Sequence, residues 1–520
     1  MSVSAHLTTT PEGELPLFEW MRARDAGSQN AGSIRPVATR DALVPSRLPA
    51  AGEQYRFHVD MRKCIGCKCC VVACNEQNGN PAEINWRRVG DIEGGWYPNA
   101  VRSYLSMGCN HCLEPTCLAG CPVDAYTKDA VTGIVRHSAD ACIGCQYCTW
   151  NCSYGVPQYN PQRGVVGKCD MCHGRLSQGQ SPACVSACPE GAIQVEIVNV
   201  DAWRDALRQG PGPGRPSGDV SLSATRVTLP PQLPPNALPR GVTHVTPEHP
   251  HWPLVVMTVL TQLSVGAFAT IWLLELLGAA RLGGAAMASL VIGALALIAS
   301  TFHLGRPVYA YRALRMWRRS WLSREVLLFS TFSTIAALYA GLLWLQLPGS
   351  TIVGALTTLL GGAGVTASAC IYRVPSRPAW NTRYTLLQFN LTGLVLGPLF
   401  ARTAGVGHAG WLAIASSSAA GLLFILLAVR FFRLIAADAA ELRGTARLLS
   451  TVFASRFVAR CVLLAVGAVV LPLAGETRLL SALALVLAVA GELAGRYLFF
   501  VSVVPTTMAA PYIAMESEAA

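Results

Sequence analysis

Long apolar stretches fill the second half of the chain and are separated by short arginine-rich segments. Because a bilayer core is about 30 Å thick, a helix that crosses it needs about 20 apolar residues. Eight stretches from Pro253 onward reach that length, and each is predicted to form a membrane-spanning helix. They cover approximately residues 253–278, 284–303, 325–346, 351–371, 384–401, 409–429, 457–474 and 479–503.

The residues before these stretches lack such runs and divide by composition. The first fifty residues are polar and have no sustained period, so little autonomous structure is expected there. Residues 200–252 contain Gly-Pro-Gly-Pro-Gly and two pairs of prolines, a composition that favours an extended tether. The predicted segments are an extended N-terminal segment (1–54), a soluble domain (55–199), a Pro/Gly-rich linker (200–252), an eight-span membrane domain (253–505) and a C-terminal tail (506–520).

Arginines are distributed unequally between the two sides of the predicted bundle. With eight spans both chain ends lie on one side, whose loops carry 15 arginines against three in the opposite loops. The positive-inside rule therefore places the soluble domain in the cytoplasm. These loops explain much of the formal net charge of +11, so the charge does not indicate nucleic-acid binding. The arginines are Arg306, Arg312, Arg315, Arg318, Arg319, Arg324, Arg373, Arg377, Arg383, Arg430, Arg433, Arg443, Arg447, Arg456 and Arg460 on the richer side, and Arg281, Arg402 and Arg478 opposite.

Sixteen of the nineteen cysteines form four quartets between Cys64 and Cys188. The first and third quartets follow C-x2-C-x2-C-x3-C, the spacing with which bacterial ferredoxins hold cubane iron–sulfur clusters. Three thiolates on one tight loop bind one cube while the fourth cysteine points to a second, so the spacing predicts four clusters arranged in pairs. The quartets are Cys64, Cys67, Cys70, Cys74; Cys109, Cys112, Cys117, Cys121; Cys142, Cys145, Cys148, Cys152; and Cys169, Cys172, Cys184, Cys188.

Disulfides and structural zinc are the simpler uses of so many cysteines. Disulfides are typical of secreted domains, but the opening stretch carries acidic residues and no apolar signal core. A zinc site needs four ligands at varied spacing and does not need the third cysteine of each run. Both interpretations are therefore disfavoured. Of the remaining cysteines, Cys69 is interpreted as a non-ligand, and Cys370 and Cys461 as packed thiols.

Several longer strings combine these cysteines with specific neighbours. Those in the soluble domain are Cys64-Ile-Gly-Cys-Lys, Cys109-Asn-His-Cys, Cys142-Ile-Gly-Cys-Gln-Tyr-Cys, Tyr154-Gly-Val-Pro-Gln-Tyr and Lys168-Cys-Asp-Met-Cys. Those in the membrane domain are Trp252-Pro-Leu-Val, Thr261-Gln-Leu-Ser-Val-Gly, His303-Leu-Gly-Arg-Pro, Ser320-Trp-Leu-Ser-Arg-Glu, Arg377-Pro-Ala-Trp-Asn and Gly491-Glu-Leu-Ala-Gly-Arg. Through them, residues 55–195 resemble the electron-transfer subunit of the dimethyl sulfoxide reductase family of iron–sulfur molybdoenzymes, and residues 252–505 resemble its anchor subunit. The two are usually separate chains, so their fusion and the longer N-terminus are departures.

The resemblance implies an α+β ferredoxin-like four-cluster domain, made of two pseudo-repeated dicluster ferredoxin folds, followed by an all-α eight-helix transmembrane bundle. It also implies that the first quartet pairs with the fourth and the second with the third. Some relatives replace a third-quartet ligand by tryptophan, whereas all sixteen positions are cysteine here. The implied ligand sets are Cys64, Cys67, Cys70 with Cys188; Cys169, Cys172, Cys184 with Cys74; Cys109, Cys112, Cys117 with Cys152; and Cys142, Cys145, Cys148 with Cys121.

The membrane domain must exchange electrons with a lipid-soluble carrier, through either a haem or a quinone site. A haem b needs paired axial histidines. Only His303 lies near the interior of a predicted span, since His251 and His408 lie at edges. A quinone site without haem is therefore favoured.

Ionisable residues at the ends of three spans mark the candidate quinone site. His303 closes the second span, Arg324 and Glu325 open the third, and Glu492 and Arg496 lie in the last part of the eighth. Quinone chemistry moves protons as well as electrons, which suits an imidazole and a carboxylate. The simpler alternative for Glu492 and Arg496 is mutual neutralisation, because they are four residues apart on one helix.

These observations predict an electron-transfer and membrane-anchor subunit of a molybdopterin oxidoreductase in the inner membrane of a bacterium. The sequence shows no nucleophile–base constellation and no nucleotide-binding glycine loop, so the catalytic oxygen-atom chemistry is expected in a separate molybdopterin subunit. Both a sulfoxide reductase-like and a sulfite-oxidising complex fit this description. The alternative is a stand-alone quinone-linked ferredoxin oxidoreductase without a molybdenum partner.

Overall fold

The computed structural model describes residues 43–209, 221–234, 236–239, 245–279, 282–506, 508 and 512. Most of the predicted N-terminal segment and C-terminal tail, parts of the predicted linker, and Arg281 lie outside these residues. The described residues from 43 to 239 are called the cysteine domain below, and those from 245 to 506 the membrane domain.

Two three-stranded sheets and two hairpins form the strands described in the cysteine domain. Strand β1 (Glu53–Asp60) pairs antiparallel with β8 (Ile193–Asn199) and so joins the two ends of the cysteine-rich segment. Tyr55, Phe57 and Val59 alternate along β1 and bury their side chains in one core, as the period of a strand requires. The other strands are β2 (Arg88–Gly94), β3 (Val101–Met107), β4 (Tyr126–Lys128), β5 (Val135–His137), β6 (Gln158–Asn160), β7 (Val165–Gly167), β9 (Arg226–Thr228) and β10 (Leu238–Pro239).

Short helices follow the cysteine loops. In the first and third quartets the helix begins directly after a residue in the left-handed region, Lys68 at φ 62° and Gln146 at φ 59°. The two loops therefore share one local conformation, as a pseudo-repeat requires. The helices are α1 (Cys69–Asn78), α2 (Thr116–Gly120), α3 (Tyr147–Asn151), α4 (His173–Leu176), α5 (Ala183–Ser186) and α6 (Val200–Arg208).

The predicted linker is more ordered than an extended tether. Helix α6 begins at its first residues, where the Asn199 side chain accepts a hydrogen bond from the Ala202 amide at 2.9 Å. Strand β9 pairs in parallel with β1, and β10 pairs with β2. Composition did not show this, because the strands lie between the glycines and prolines and bury few side chains, such as Val227. Residues 210–220, 235 and 240–244 lie outside the described residues.

The start of the predicted C-terminal tail returns to the cysteine domain. The Thr506 hydroxyl donates to the Ser153 carbonyl oxygen at 2.9 Å. Tyr512 is buried, and its hydroxyl shares a 2.6 Å hydrogen bond with that of Ser223. These contacts attach the described tail residues to the same face of the molecule as the linker.

Eight helices in the described part of the chain are long and apolar enough to cross a membrane, which confirms the predicted number of spans. The seventh span, Ala454–Ala474, comprises α14 (Ala454–Ala465), a π-helical turn (Val466–Val470) and α15 (Leu471–Ala474). The other spans are α7 (Trp252–Leu276), α8 (Gly283–Thr301), α9 (Trp321–Leu345), α10 (Ser350–Ile371), α11 (Arg383–Thr403), α12 (Ala409–Ile435) and α16 (Arg478–Val501); α13 (Ala440–Ser450) is a shorter amphipathic helix.

Helix α7 lies at the centre of the bundle, with most of its residues buried. It crosses α11 so closely that a Cβ on Gly266 would lie 2.0 Å from the Gly393 carbonyl oxygen. Small residues at such crossings allow the backbones of membrane helices to approach. The bundle core continues into the cysteine domain, because Tyr147 and Trp150 of α3 belong to it.

Candidate functional site

The four C-x2-C loops have the same backbone turn. The residue before the second cysteine has a positive φ in each of them: 74° at Gly66, 41° at His111, 69° at Gly144 and 59° at Met171. Two of these positions carry L side chains that usually avoid this region. The turn is therefore required by what the loops surround, rather than by glycine alone.

Two cavities are each lined by three cysteines of one quartet and one cysteine of another. The first contains Cys64, Cys67 and Cys70 together with Cys188. The second contains Cys109, Cys112 and Cys117 together with Cys152. Both groupings match ligand sets implied by the family resemblance, and a cage of four thiols suits a cubane cluster.

The remaining eight cysteines form two further groups. Cys74 lies within electrostatic range of Cys169, Cys172 and Cys184. Similarly, Cys121 and Cys142 lie within range of both Cys145 and Cys148. Each group again joins three cysteines of one quartet to the last cysteine of another. By contrast, Cys69 is exposed beside the first loop.

Two buried cations lie among these cysteines. The Lys168 ammonium lies 3.5 Å from Cys109 Sγ and donates to the Cys169 carbonyl oxygen at 2.7 Å. Burial by itself would lower the pKa of Lys168, but the surrounding cysteines, led by Cys109, raise it above its ordinary value. Arg87 is 1% exposed and donates to the Ser106 hydroxyl at 3.2 Å. Buried positive charges next to sulfur ligands offset thiolate charge; sequence reasoning missed Arg87, which no local spacing marks.

The third cysteine loop lies directly on the membrane domain. The Arg306 amide donates to the Ile143 carbonyl oxygen at 3.1 Å. Three glycines make this approach possible: a Cβ on Gly305 would lie 2.2 Å from the Gly164 carbonyl oxygen, and one on Gly144 would lie 2.3 Å from it. Backbone therefore meets backbone between the cysteine loop and the residues that follow α8.

His303 connects this loop to the bundle. Its Nε2 lies 3.2 Å from the carbonyl oxygen of Cys145. Burial lowers the pKa of His303 to about 4, partly opposed by that hydrogen bond, so the imidazole is neutral at pH 7. Because a carbonyl oxygen only accepts, Nε2 must carry the proton, which leaves the Nδ1 lone pair as an acceptor.

His251 is the nearest partner of His303, with ring centroids 5.4 Å apart at 71°. Burial lowers the pKa of His251 to about 3, and His303 lowers it further. Sequence reasoning placed His251 at an edge and missed this contact. No local signal could have found it, because the two residues are joined only by the packing of α7 against α8.

Trp150 joins the histidines to the clusters. It lies on α3 between Cys148 and Cys152, which belong to two different cysteine groups. Its ring stacks on His303 at 6.3 Å and 26°, and meets His251 edge-on at 5.3 Å. Its other aromatic neighbours are Tyr372, Trp380 and Phe500.

The other predicted quinone residues are not all brought to this place. Glu325 is buried and lies within electrostatic range of Tyr147 and Tyr372, both close to the Trp150 assembly. Arg324 is turned outward and donates to the Trp317 and Arg318 carbonyl oxygens at 3.0 and 2.7 Å. The structure therefore brings Glu325, but not Arg324, towards His303.

Glu492 and Arg496 are buried elsewhere in the bundle, each 1% exposed. Thr392 donates to Glu492 at 3.0 Å, and Arg496 donates to Gln262 at 2.9 Å. The Arg496 guanidinium also lies 3.7 Å from the centroid of the Phe389 ring. Each residue thus has its own partners, and neither contacts the histidines.

The fold and its cysteine cages define an iron–sulfur electron-transfer domain joined to a multi-pass helical membrane anchor. Residues 100–197 match the family model of 4Fe-4S dicluster domains, and residues 247–501 match that of the DMSO reductase anchor subunit (DmsC). This protein belongs to the dimethyl sulfoxide reductase family, as a fusion of its iron–sulfur electron-transfer subunit with its membrane anchor.

Curated relatives match the cysteine domain. An anaerobic dimethyl sulfoxide reductase chain of Haemophilus influenzae is 41% identical over 150 residues, which cover 27% of this chain and 73% of the relative. A chain of the enzyme with the same name in Escherichia coli K12 is 40% identical over 148 residues, 27% of this chain and 72% of the relative. A sulfite dehydrogenase subunit of Allochromatium vinosum is 34% identical over 160 residues, 27% and 67% of the two chains.

Proposed function

We propose that this chain carries electrons between the membrane quinone pool and a separate molybdopterin catalytic subunit. The observation that carries the proposal is the contact of His303 with Cys145, since it joins a candidate quinone site to a cluster-binding loop without an intervening group. Four [4Fe-4S] clusters, held by the sixteen cysteines in the four groups described above, would supply the one-electron steps between them.

The quinone site is assigned to the surface beside His303 and His251. Their chain neighbours Phe302 and Trp252 are 76% and 56% exposed, so the histidines lie close to the lipid-facing side. The free Nδ1 of His303 is placed to accept a quinol hydroxyl proton, and Glu325 supplies a second proton acceptor nearby. Since the two imidazoles pack edge to face, they do not oppose each other across a plane as axial haem ligands would.

The surface for the catalytic partner is assigned to the opposite part of the cysteine domain, around the Cys64 cage. Ile65 lines that cage and is 57% exposed. The β2–β3 hairpin crosses the same loop and ends in Trp96 and Tyr97, which are 82% and 96% exposed. Exposed aromatic residues at this density are typical of interface anchors. Electrons would thus enter at one cage and leave at another.

Purification from native membranes in mild detergent tests the partnership. A molybdenum-containing protein should accompany the chain, and replacing both Trp96 and Tyr97 with serine should reduce the recovered molybdenum at least about tenfold, because aromatic anchors dominate interface energies. Val131→Ser, which removes an exposed apolar side chain elsewhere, is the matched control. If wild-type protein carries no molybdenum, the stand-alone quinone-linked ferredoxin oxidoreductase becomes the better description.

The partner's reaction is expected to be either sulfoxide reduction or sulfite oxidation, after relatives named for each. The same chain serves both, because its clusters and quinone site carry electrons in either direction. Assaying the purified complex with quinol plus sulfoxide, and with quinone plus sulfite, separates them.

The cysteine domain is proposed to face the cytoplasm from the inner membrane of a bacterium. Support comes from the excess of arginines in the loops on its side. Some of these arginines also bind the cysteine domain: Arg306 and Arg312 donate to the Ala139 and Asp140 carbonyl oxygens at 2.9 and 3.0 Å.

A reporter enzyme that is active only in the periplasm should give no signal when fused after Ala520. The physical reason is the arginine excess, which keeps both chain ends inside. The same reporter inserted between α11 and α12 should be active. The reverse pattern of activity would place the cysteine domain outside and require its export in folded form.

A further inference from the structure

A cavity lined by arginines lies in the second half of the membrane domain, between α11, α12, α14 and α16. Its polar lining consists of Gln388, Arg430, Arg460 and Ser502, and leucine and phenylalanine side chains form most of the remaining wall. It is separate from the histidine pair, since none of its lining residues belongs to α7 or α8.

Positive charge is in excess around this cavity. The guanidinium groups of Arg430, Arg460 and Arg496 lie near one carboxylate, that of Glu492, which leaves an excess of two positive charges. Arg460 and Arg496 are 3% and 1% exposed. Charges buried this deeply in a membrane domain are costly unless they are paired.

Four donor atoms have no protein partner among the described residues. They are Nε and Nη2 of Arg460 and Nε and Nη1 of Arg496. The fold makes room for this arrangement, since a Cβ on Gly495 would lie 2.3 Å from Arg460 Nε. Arg430, by contrast, donates to Gln388 at 2.9 Å and to the Ala379 carbonyl oxygen at 3.1 Å. The unpartnered fork of Arg460 therefore lacks an anion.

The depth and opening of the cavity fit a phosphate. Arg430 lies five residues before the end of α12 and Arg460 six residues after the start of α14. At 1.5 Å per residue both are only about 8–9 Å from the helix ends, near the boundary between headgroups and hydrocarbon. Phe432 and Val458 on the same two helices are 68% and 59% exposed, so lipid can approach here.

We propose that this cavity binds a phosphate group, supplied by the headgroup of an anionic phospholipid or by free phosphate. Guanidinium forks match phosphate oxygens in charge and geometry. Basic pockets between membrane helices are known to hold anionic headgroups. A phosphate between Arg460 and Arg430 also connects α12 with α14 and stabilises this half of the bundle, away from the histidine pair.

Thermal unfolding of the delipidated complex tests the proposal. The complex is transferred to phosphatidylcholine nanodiscs, alone, with phosphatidylglycerol, or with inorganic phosphate. Wild type should unfold at a higher temperature with a phosphate source that fits. Arg460→Gln should bind it at least about tenfold more weakly, because a charge-assisted hydrogen-bond pair is lost. Arg456→Gln, which alters an exposed arginine on the same helix, should respond like wild type.

Each outcome decides between sources or against the site. A shift with phosphatidylglycerol alone identifies a lipid headgroup, and an equal shift with inorganic phosphate identifies the free ion. No shift of wild type with either, or an Arg460→Gln response equal to that of Arg456→Gln, overturns the proposal. Should Arg460→Gln fail to fold, phosphorus bound to wild type after detergent exchange decides, with about one per chain expected and none refuting the site.

Discussion

Replacing His303 with alanine is expected to slow quinol-linked electron transfer by about two to four orders of magnitude, the usual contribution of a positioned proton acceptor. The variant loses both the Nδ1 acceptor and the hydrogen bond to the Cys145 carbonyl oxygen. The measurement is quinol-driven reduction of the clusters, followed together with their low-temperature EPR spectrum. Only the quinone step should be lost, because His303 is not a cluster ligand.

Two further variants make this result interpretable. His303→Gln keeps a donor for Cys145 but has no basic nitrogen, so it should dock normally and still be slow. His408→Ala removes an exposed histidine that precedes a helix, and it should leave the rate unchanged. Wild-type turnover in His303→Ala would reduce His303 to a structural contact at the end of α8.

Serine at Cys152 should remove one cluster completely, and it should be the cluster of the second quartet. The wild-type chain is expected to hold about sixteen iron atoms and the variant about twelve. The reason is that Cys152 closes the cage of Cys109, Cys112 and Cys117, although it belongs to the third quartet in sequence. Iron and acid-labile sulfide are measured on anaerobically purified protein.

Cys69→Ser is the matched control, since Cys69 is exposed next to Cys70 and belongs to none of the four groups. It should retain the full iron content. A wild-type value near eight would instead mean that half of the proposed ligands are wrong. Loss of iron from Cys69→Ser would move the ligand role from Cys70 to its neighbour.

Sequence reasoning worked best where the determining signal is local. Cysteine spacing predicted the ferredoxin-like loops, because each loop is built within about ten residues. The length of each apolar run predicted the eight spans, because bilayer thickness sets a minimum length for every crossing. Both are properties of a short segment and a fixed external scale.

Contacts between distant segments were not predictable in this way. His251 and Trp150 meet His303 only because α7, α8 and α3 pack together. The four-residue spacing of Glu492 and Arg496 suggested mutual neutralisation, yet Thr392 and Gln262 on other helices bind them instead. Similarly, the strands of the linker depend on the unpaired edges of β1 and β2, which its own composition does not record.

The glycine contact between the cysteine loop and the membrane domain also sets an electron-tunnelling distance. Tunnelling rates fall exponentially with separation, so even a slight added gap matters. A methyl group at Gly305 would clash with the Gly164 carbonyl oxygen at 2.2 Å and separate the two backbones. A residue that carries no electron and no proton thereby limits how fast every electron crosses from the bilayer to the cysteine domain.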